Sequence, residues 1–258
     1  MKRLSIMALL TATLVGTSVQ CTSSKAADIS SDHFAYVDNE SSGVITEKNV
    51  KLTKNFEALS VSLGVKVYYT VGNANTARIV GPEEKVNRTS VRVEDNTLRI
   101  SMEGSNRVIN NNRTVKVYVE APAFSKVTTT VGGCVEMESP LKLSGNFEVG
   151  GSSGGIFKSD YLIECGEFDV DTSSGCIVEV NNVKADVMDL DGSSGTIITV
   201  KGVANKLNAD FSSGAIANIE SVKAKSGSLD ASSGAIVNAS KNNGYSTHSS
   251  SGAIMNLR

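Results

Sequence analysis

The sequence predicts an all-β fold: a right-handed parallel β-helix (β-solenoid) with about 20 residues per coil and an N-terminal β region that caps it. Two observations carry this prediction, a tripeptide repeated at nearly constant spacing and an apolar/polar alternation on both sides of it. Ser-Ser-Gly occurs six times, with its glycines at Gly154, Gly175, Gly195, Gly214, Gly234 and Gly252. A fixed period of this length is typical of a solenoid in which each repeat forms one coil.

Each repeated glycine is expected at a corner of its coil, because glycine adopts positive φ at little cost. A degenerate seventh copy, Val131-Gly132-Gly133, precedes the first, and aligning Gly133 with Gly154 gives a spacing of 21 residues. Length variation between repeats falls away from the corners, in polar segments expected to form loops.

Strands are predicted on both sides of each corner. Before the corner, Phe168 and Val170 flank Asp169, and after it Ile177 and Glu179 flank Val178. Alternation with period two marks a strand with one buried face. Stacked coils then pair as parallel strands about 4.8 Å apart, and the handedness rule for parallel crossovers makes the coil right-handed.

Composition favours a thin-cored, elongated protein over an enzyme with a deep aromatic pocket. The 258 residues include 23 Gly, 7 Phe, 6 Tyr and no Trp, with a formal net charge of −2. Basic residues do not alternate with aromatic ones along the chain, so nucleic-acid binding is not predicted.

The N-terminus predicts export. Lys2-Arg3 precede an apolar run that is too short to span a membrane, so residues 1–20 are predicted to be a signal peptide. Cys21 follows Ser18-Val19-Gln20, which resembles a bacterial lipoprotein cleavage box, and is the predicted lipid attachment site. Cleavage after Ala26 is the alternative and would leave a free periplasmic or secreted protein. The lipid would be the chain's contact with the outer membrane of a Gram-negative bacterium.

Three further segments complete the predicted organisation. Residues 21–49 are polar and predict a flexible tether. Residues 50–126 have strand-like alternation without the 20-residue period, and are predicted to form a β region that caps the solenoid. Asp95-Asn96-Thr97 predicts a hairpin turn within it. Residues 127–258 hold the repeats.

The chain resembles the auto-transporter adhesin "head GIN domain" family of Bacteroidetes. The matching segments include Phe56-Glu57-Ala58-Leu59, Val65-Lys66-Val67-Tyr68, Glu94-Asp95-Asn96-Thr97-Leu98-Arg99-Ile100, Val115-Lys116-Val117-Tyr118-Val119 and the repeats that follow. The resemblance covers residues 50–258 and implies a right-handed β-helix, similar in shape to pectin-lyase-like proteins but without their catalytic residues. It also implies adhesion by a surface lipoprotein, and it supplies no catalytic or ligand residues.

Cys134, Cys165 and Cys176 are predicted to be small interior residues rather than disulfide or metal partners. Aligned on Gly133, Cys134 and Cys176 fall in one column two coils apart, about 9.6 Å, which exceeds the reach of a disulfide.

An aspartate column lies four residues before the corner glycine, comprising Asp171, Asp191, Asp210 and Asp230. One hypothesis is a ladder of Ca²⁺ sites, since stacked carboxylates repel unless neutralised. The favoured hypothesis is that each Asp accepts hydrogen bonds from the backbone of its own corner.

An aliphatic column lies two residues after the glycine, comprising Val135, Ile156, Ile177, Ile197, Ile216, Ile236 and Ile254. Strict alternation would place it outside the solenoid as an interaction strip. A register shift at the corner would turn it into the core, and the seven matched β-branched side chains favour the core.

Catalysis is not predicted. The two histidines, His33 and His248, fall in the tether and at the last corner, and neither is placed beside a catalytic candidate. The sequence therefore predicts a non-enzymatic surface lipoprotein without a cofactor, acting in adhesion to a glycan or cell-surface protein, with homo-oligomerisation a further possibility. The alternatives are a carbohydrate-active β-helix and a purely structural envelope lipoprotein.

Overall fold

The computed structural model describes residues 44–104, 115–241 and 244–258. These belong to one compact unit, Ser41–Arg258. The predicted signal peptide, Cys21, His33 and most of the tether lie outside the described residues. The tether was predicted to extend to residue 49, but the first strand already begins at Ile45.

The described residues form twenty strands and one short helix. The elements are β1 (Ile45–Lys51), β2 (Ala58–Val61), β3 (Lys66–Val71), β4 (Thr76–Pro82), α1 (Glu83–Arg88), β5 (Thr89–Glu94), β6 (Thr97–Met102), β7 (Lys116–Ala121), β8 (Lys126–Thr130), β9 (Cys134–Met137), β10 (Leu141–Lys142), β11 (Phe147–Ser152), β12 (Ile156–Ser159), β13 (Ile163–Thr172), β14 (Ile177–Gly192), β15 (Ile197–Phe211), β16 (Ile216–Ile219), β17 (Val222–Ala231), β18 (Ile236–Ala239), β19 (Tyr245–Ser249) and β20 (Ile254–Leu257).

The coils stack through three faces, and the predicted parallel β-solenoid is confirmed. Face 1 contains the strands that enter the Ser-Ser-Gly corner, in the order β5-β6-β2-β8-β11-β13-β14-β15-β17-β19. Face 2 contains those that leave it, in the order β1-β4-β7-β3-β9-β12-β14-β15-β16-β18-β20. Face 3 closes the coil through β10, the starts of β13 and β17, and the middle parts of β14 and β15.

The segment before the repeats supplies coils as well as a cap. β2 and β3 form a complete corner between them at Leu63 and Gly64, with φ of 57° and 73°. This coil stacks in parallel on β8 and β9 on one side and on β6 and β7 on the other. Among the strands given above, antiparallel pairing is confined to β1, β4 and β5, which cover the outer strands. The expected boundary at residue 126 therefore falls within a continuous stack.

The core is a narrow column of alternating side chains. Tyr69, Phe124, Phe147 and Phe168 are fully buried, with ring centroids 4.7, 5.7 and 6.2 Å apart in succession; the first two contacts are edge-to-face and the third is stacked. Burying each such side chain stabilises the fold by roughly 1.5–3 kcal/mol. The Tyr69 hydroxyl donates a hydrogen bond to the Pro122 carbonyl at 2.6 Å, which satisfies the polar end of the ring.

No helix in the described residues is long and apolar enough to cross a membrane.

Candidate functional site

The Ser-Ser-Gly corners use two consecutive left-handed residues. The second serine has φ of 50–54° and the glycine φ of 73–76° in all six copies. Positive φ at both central positions defines a type I′ turn. The glycine amide of each of the first five copies donates to the second serine carbonyl of the next coil, at 3.1–3.2 Å. The sequence predicted positive φ at the glycine but not at the second serine, because a left-handed conformation is unusual for a residue with a side chain.

In the degenerate corner Val131-Gly132-Gly133, the alignment of Gly133 with Gly154 was wrong by one residue. Val131 and Gly132 have φ of 48° and 71°, so Gly132 is the equivalent of Gly154. Gly133 is a glycine for another reason, because a Cβ there would lie 2.4 Å from the Val61 carbonyl oxygen. With Gly132 at the corner, strand β9 pairs with β12 so that Cys134 is opposite Ile156 and Val135 is opposite Phe157.

Cys134, Cys165 and Cys176 are buried, as predicted, but Cys134 and Cys176 do not share one column. Cys134 belongs to the isoleucine column, whereas Cys176 is one position earlier. Cys165 pairs with Ala185, whose partner is Ala204, so it occupies a column of small interior residues. Burial raises the pKa of Cys165 to about 11, which keeps it a protonated, unreactive thiol at neutral pH.

Val135 lies in the core, as the favoured prediction had it, but the isoleucines that follow lie on the outside of face 2, so for them the prediction of core burial was wrong. Ile156 is buried, with 2% of its surface exposed. Further along the stack Ile197 and Ile254 are 37% and 53% exposed, and Ile177, Ile216 and Ile236 are half-buried. The corner does not shift the register, because the alternation on β14, β16 and β18 starts outside with isoleucine and puts the next residue inside.

An amide ladder runs beside these isoleucines. The Asn256 amide donates to the Asn238 side-chain oxygen at 2.8 Å, and the Asn238 amide to Asn218 at 2.9 Å. The Asn218 amide in turn donates to the Thr199 hydroxyl at 3.3 Å. We name the combined surface the uncharged strip: Ile197, Thr199, Ile216, Asn218, Ile236, Asn238, Ile254 and Asn256. Each amide uses one N–H within the ladder, which leaves its second N–H for another partner.

The same face is charged and aromatic nearer the N-terminus. The Tyr68 and Tyr118 rings stack with centroids 5.1 Å apart, and the Arg78 guanidinium lies 4.5 Å from the Tyr118 ring. Lys66 forms an ion pair with Glu136 at 2.7 Å. Burial raises the pKa of both Tyr68 and Tyr118. Neighbours cover these rings, so they stabilise the stack rather than form an open platform.

Face 1 carries the aspartates as two parallel ladders. Asp171, Asp191, Asp210 and Asp230 pair in register, and Asp169 and Asp189 form a second row beside them. Partial burial raises the pKa of Asp191 to about 6, and the carboxylates of Asp189 and Asp210 add to the effect. The pKa of Asp169 is also raised, by burial and then by Asp189.

Neither hypothesis for the aspartate column finds support in its geometry. These aspartate side chains accept no hydrogen bond from a corner backbone within the described residues. In the same part of the chain, no three His, Cys, Asp or Glu side chains are grouped to hold a metal ion. His248 is in register with Asp230 at the end of the column, on an exposed strand.

Fold and faces together define a β-solenoid that presents flat side-chain ladders. The chain matches the family described as "Putative auto-transporter adhesin, head GIN domain" over residues 55–255, and it belongs to that family. The predicted resemblance is thus confirmed, and membership supports a surface protein of the adhesin type. No curated protein matches the chain.

Solved structures share the fold. A "putative adhesin" from Parabacteroides merdae superposes with a TM-score of 0.72 at 12% identity, covering 84% of this chain and 97% of that one. A "putative lipid binding protein" from Parabacteroides distasonis gives 0.71 at 11%, covering 84% and 96%. A "putative adhesin" from Bacteroides fragilis gives 0.63 at 21%, covering 83% and 97%.

Proposed function

We propose that this protein is a non-enzymatic adhesin that is exported and held at the outer membrane by a lipid on Cys21. The uncharged strip binds a glycan or a protein on another surface. The observation that carries the proposal is the outward position of the isoleucine column beside the amide ladder. An exposed row of apolar side chains next to unused amide hydrogens offers both parts of a binding surface.

The flat geometry matches an extended partner. Neighbouring coils repeat the same isoleucine and amide pair about every 4.8 Å. A partner lying along the axis therefore meets several equivalent contacts, each weak by itself. Such a surface gains affinity from the number of contacts engaged rather than from one deep pocket.

A binding array tests the proposal. The purified protein, residues 28–258, is applied to immobilised glycans and extracellular-matrix proteins, and every ligand that binds is titrated in solution. Ile197→Thr combined with Ile216→Thr keeps β-branched side chains on the strand but removes apolar contact area. We expect this double variant to bind at least about tenfold more weakly, which corresponds to about 1.4 kcal/mol.

Ile45→Thr is the matched control, because Ile45 is an exposed strand residue on β1 that belongs neither to the uncharged strip nor to face 3. Its affinity should equal that of the parent protein, and thermal unfolding should show all three proteins folded. Binding to none of the surfaces would refute adhesion, and cleavage of a glycan on the array would replace it with the carbohydrate-active alternative.

The anchor is tested separately. In cells, Cys21→Ala should move the protein from the membrane fraction to the soluble fraction and abolish labelling by a fatty-acid analogue. A variant that stays in the membrane fraction would show that another segment retains it.

A further inference from the structure

Face 3 and its borders carry several lysines on β14, β15 and β17. The outward column of face 3 runs Lys142, Glu164, Lys184, Val203 and Lys223 in register. Lys201 and Lys206 lie at the two borders of this face, and Lys225 follows Lys223 on β17. We name Lys184, Lys201, Lys206, Lys223 and Lys225 the lysine patch. We propose that the lysine patch binds an acidic polysaccharide, a linear sugar chain with repeated carboxylate or sulfate groups.

The acidic groups nearby leave most of this positive charge uncompensated. Glu164 is shared between Lys142 and Lys184. Asp186 accepts a hydrogen bond from the Asn205 amide at 2.9 Å and keeps its charge, which acts on Lys184, and Glu220 pairs with Arg258.

The remaining lysines of the patch are available to a partner. Lys225 donates to the Asn205 side-chain oxygen at 2.8 Å, a neutral acceptor that leaves its charge unpaired. Lys201, Lys206 and Lys223 are exposed and form no ion pair with any described residue. Lysines held this way keep their charge directed at solvent.

A multivalent anion is the partner that this arrangement suits. One exposed lysine contributes at most about 1 kcal/mol to an ion pair, so a single small anion would not be retained. The five lysines occupy three consecutive coils about 4.8 Å apart, and from Lys201 to Lys206 the strand spans about 16 Å. A chain that carries anionic groups along its length contacts several lysines at once and displaces their counterions together.

Side-chain chemistry distinguishes a polysaccharide from other polyanions. The patch contains neither an aromatic ring for base stacking nor an arginine for bidentate phosphate contacts, so nucleic acid lacks its usual partners. Its single exposed large apolar side chain, Val203 at 46%, is too little for insertion into a lipid surface. Val203 lies between Lys184 and Lys223 in register, where it would contact the apolar face of a sugar ring.

Titration with polygalacturonate, and separately with heparin, tests the proposal at 50 mM and 300 mM NaCl. We expect binding of at least one polymer at low salt and a large loss at high salt. Lys206→Gln combined with Lys223→Gln should weaken binding about tenfold and reduce the slope of log K against log [NaCl] by about 2, one unit for each lost contact. The matched control is Lys48→Gln with Lys116→Gln, which makes the same change in net charge at exposed strand positions elsewhere, and it should bind like the parent protein.

Three results would overturn the proposal: no binding to either polymer, equal losses in both double variants, or tighter binding to duplex DNA or to anionic phosphatidylglycerol vesicles. The Ile197→Thr, Ile216→Thr variant should bind polygalacturonate normally. Failure of the lysine patch is therefore distinguishable from failure of the uncharged strip.

Discussion

Faces 1 and 2 stack the same coils with the same strand spacing, yet their outward ladders behave oppositely. On face 2, Asn218, Asn238 and Asn256 join into a chain of hydrogen bonds. On face 1, Asp171, Asp191 and Asp210 stand in the same kind of register, and the pKa of Asp191 is raised to about 6. An amide both donates and accepts, whereas an ionised carboxylate only accepts, so identical stacking joins amides and separates carboxylates.

The comparison shows what a parallel solenoid does to surface chemistry. Parallel register places each residue next to its equivalent in the adjacent coil, so the properties of one side chain add along the axis. The backbone and core hold the stack together, and the ladders adjust its stability and determine what each face can bind. This explains how face 1 can retain an unfavourable row of charges.

The largest effect is expected from giving face 2 the chemistry of face 1. Asn218→Asp combined with Asn238→Asp removes two donated hydrogen bonds and places two carboxylates in adjacent coils. We expect a loss of about 2 kcal/mol at pH 7.5, from two hydrogen bonds and one like-charge pair. Urea unfolding measures it. The neutral control Asn218→Thr, Asn238→Thr should stay within about 1 kcal/mol of the parent protein; equal stability of both double variants would contradict the comparison.

The second largest effect is expected in the pH dependence of the Tm of the parent protein. The folded pKa of Asp191 is about 6, above the unfolded value of about 3.9. Protonation therefore favours the folded state, and this stabilisation is complete below about pH 4 and lost as the pH rises through about 6. We expect Tm to be about 2–4 °C higher at pH 5 than at pH 7.5. A Tm that falls over this range would show that other groups dominate.

Removing one charge from the aspartate ladder should raise the Tm at pH 7.5 and so reduce the difference in Tm between pH 5 and pH 7.5. Asp191→Asn relieves repulsion with Asp189, Asp210 and Asp171. At pH 7.5 it should raise Tm by about 2 °C and flatten the dependence between pH 5 and 7.5. Asp186→Asn is the control, because Asp186 lies on face 3 and accepts a hydrogen bond from Asn205; its Tm should not rise. Calorimetry at both pH values measures the two variants.

The smallest effect comes from lengthening the second acidic row. Asn208 pairs in register with Asp189 and interrupts the row that Asp169 begins. Asn208→Asp should lower Tm by about 1 °C at pH 7.5 and leave it unchanged at pH 2.5, well below the ordinary aspartate pKa of about 3.9. A decrease of equal size at both pH values would assign the effect to lost amide contacts instead of charge.

Much of this fold was predictable because it depends on short-range patterns. The spacing of the Ser-Ser-Gly glycines established the coil length, and the alternation at Phe168, Asp169 and Val170 established which side chains enter the core. The Asp95-Asn96 hairpin was also predicted correctly, since both residues have the positive φ of a type I′ turn.

The predictions from sequence were wrong or incomplete where corners and coils that are equivalent in the structure have different sequences. Leu63-Gly64 forms the same corner as Ser153-Gly154, but its coil is inserted out of sequence order between β6–β7 and β8–β9. Val131-Gly132-Gly133 offered two glycines, and only backbone conformation shows which one is the corner. The lysine patch was missed because its members come from three coils and are not adjacent in the chain.

The sequence by itself determined the period, the corners and the family, because these depend on residue order and local backbone preference. Only the tertiary structure decided which way the isoleucine column points, how the first coils are ordered and which charges share a face. Those properties depend on contacts between residues about 20 positions apart or more. A strand's buried side is defined by what packs against it, and that partner is supplied by the stack.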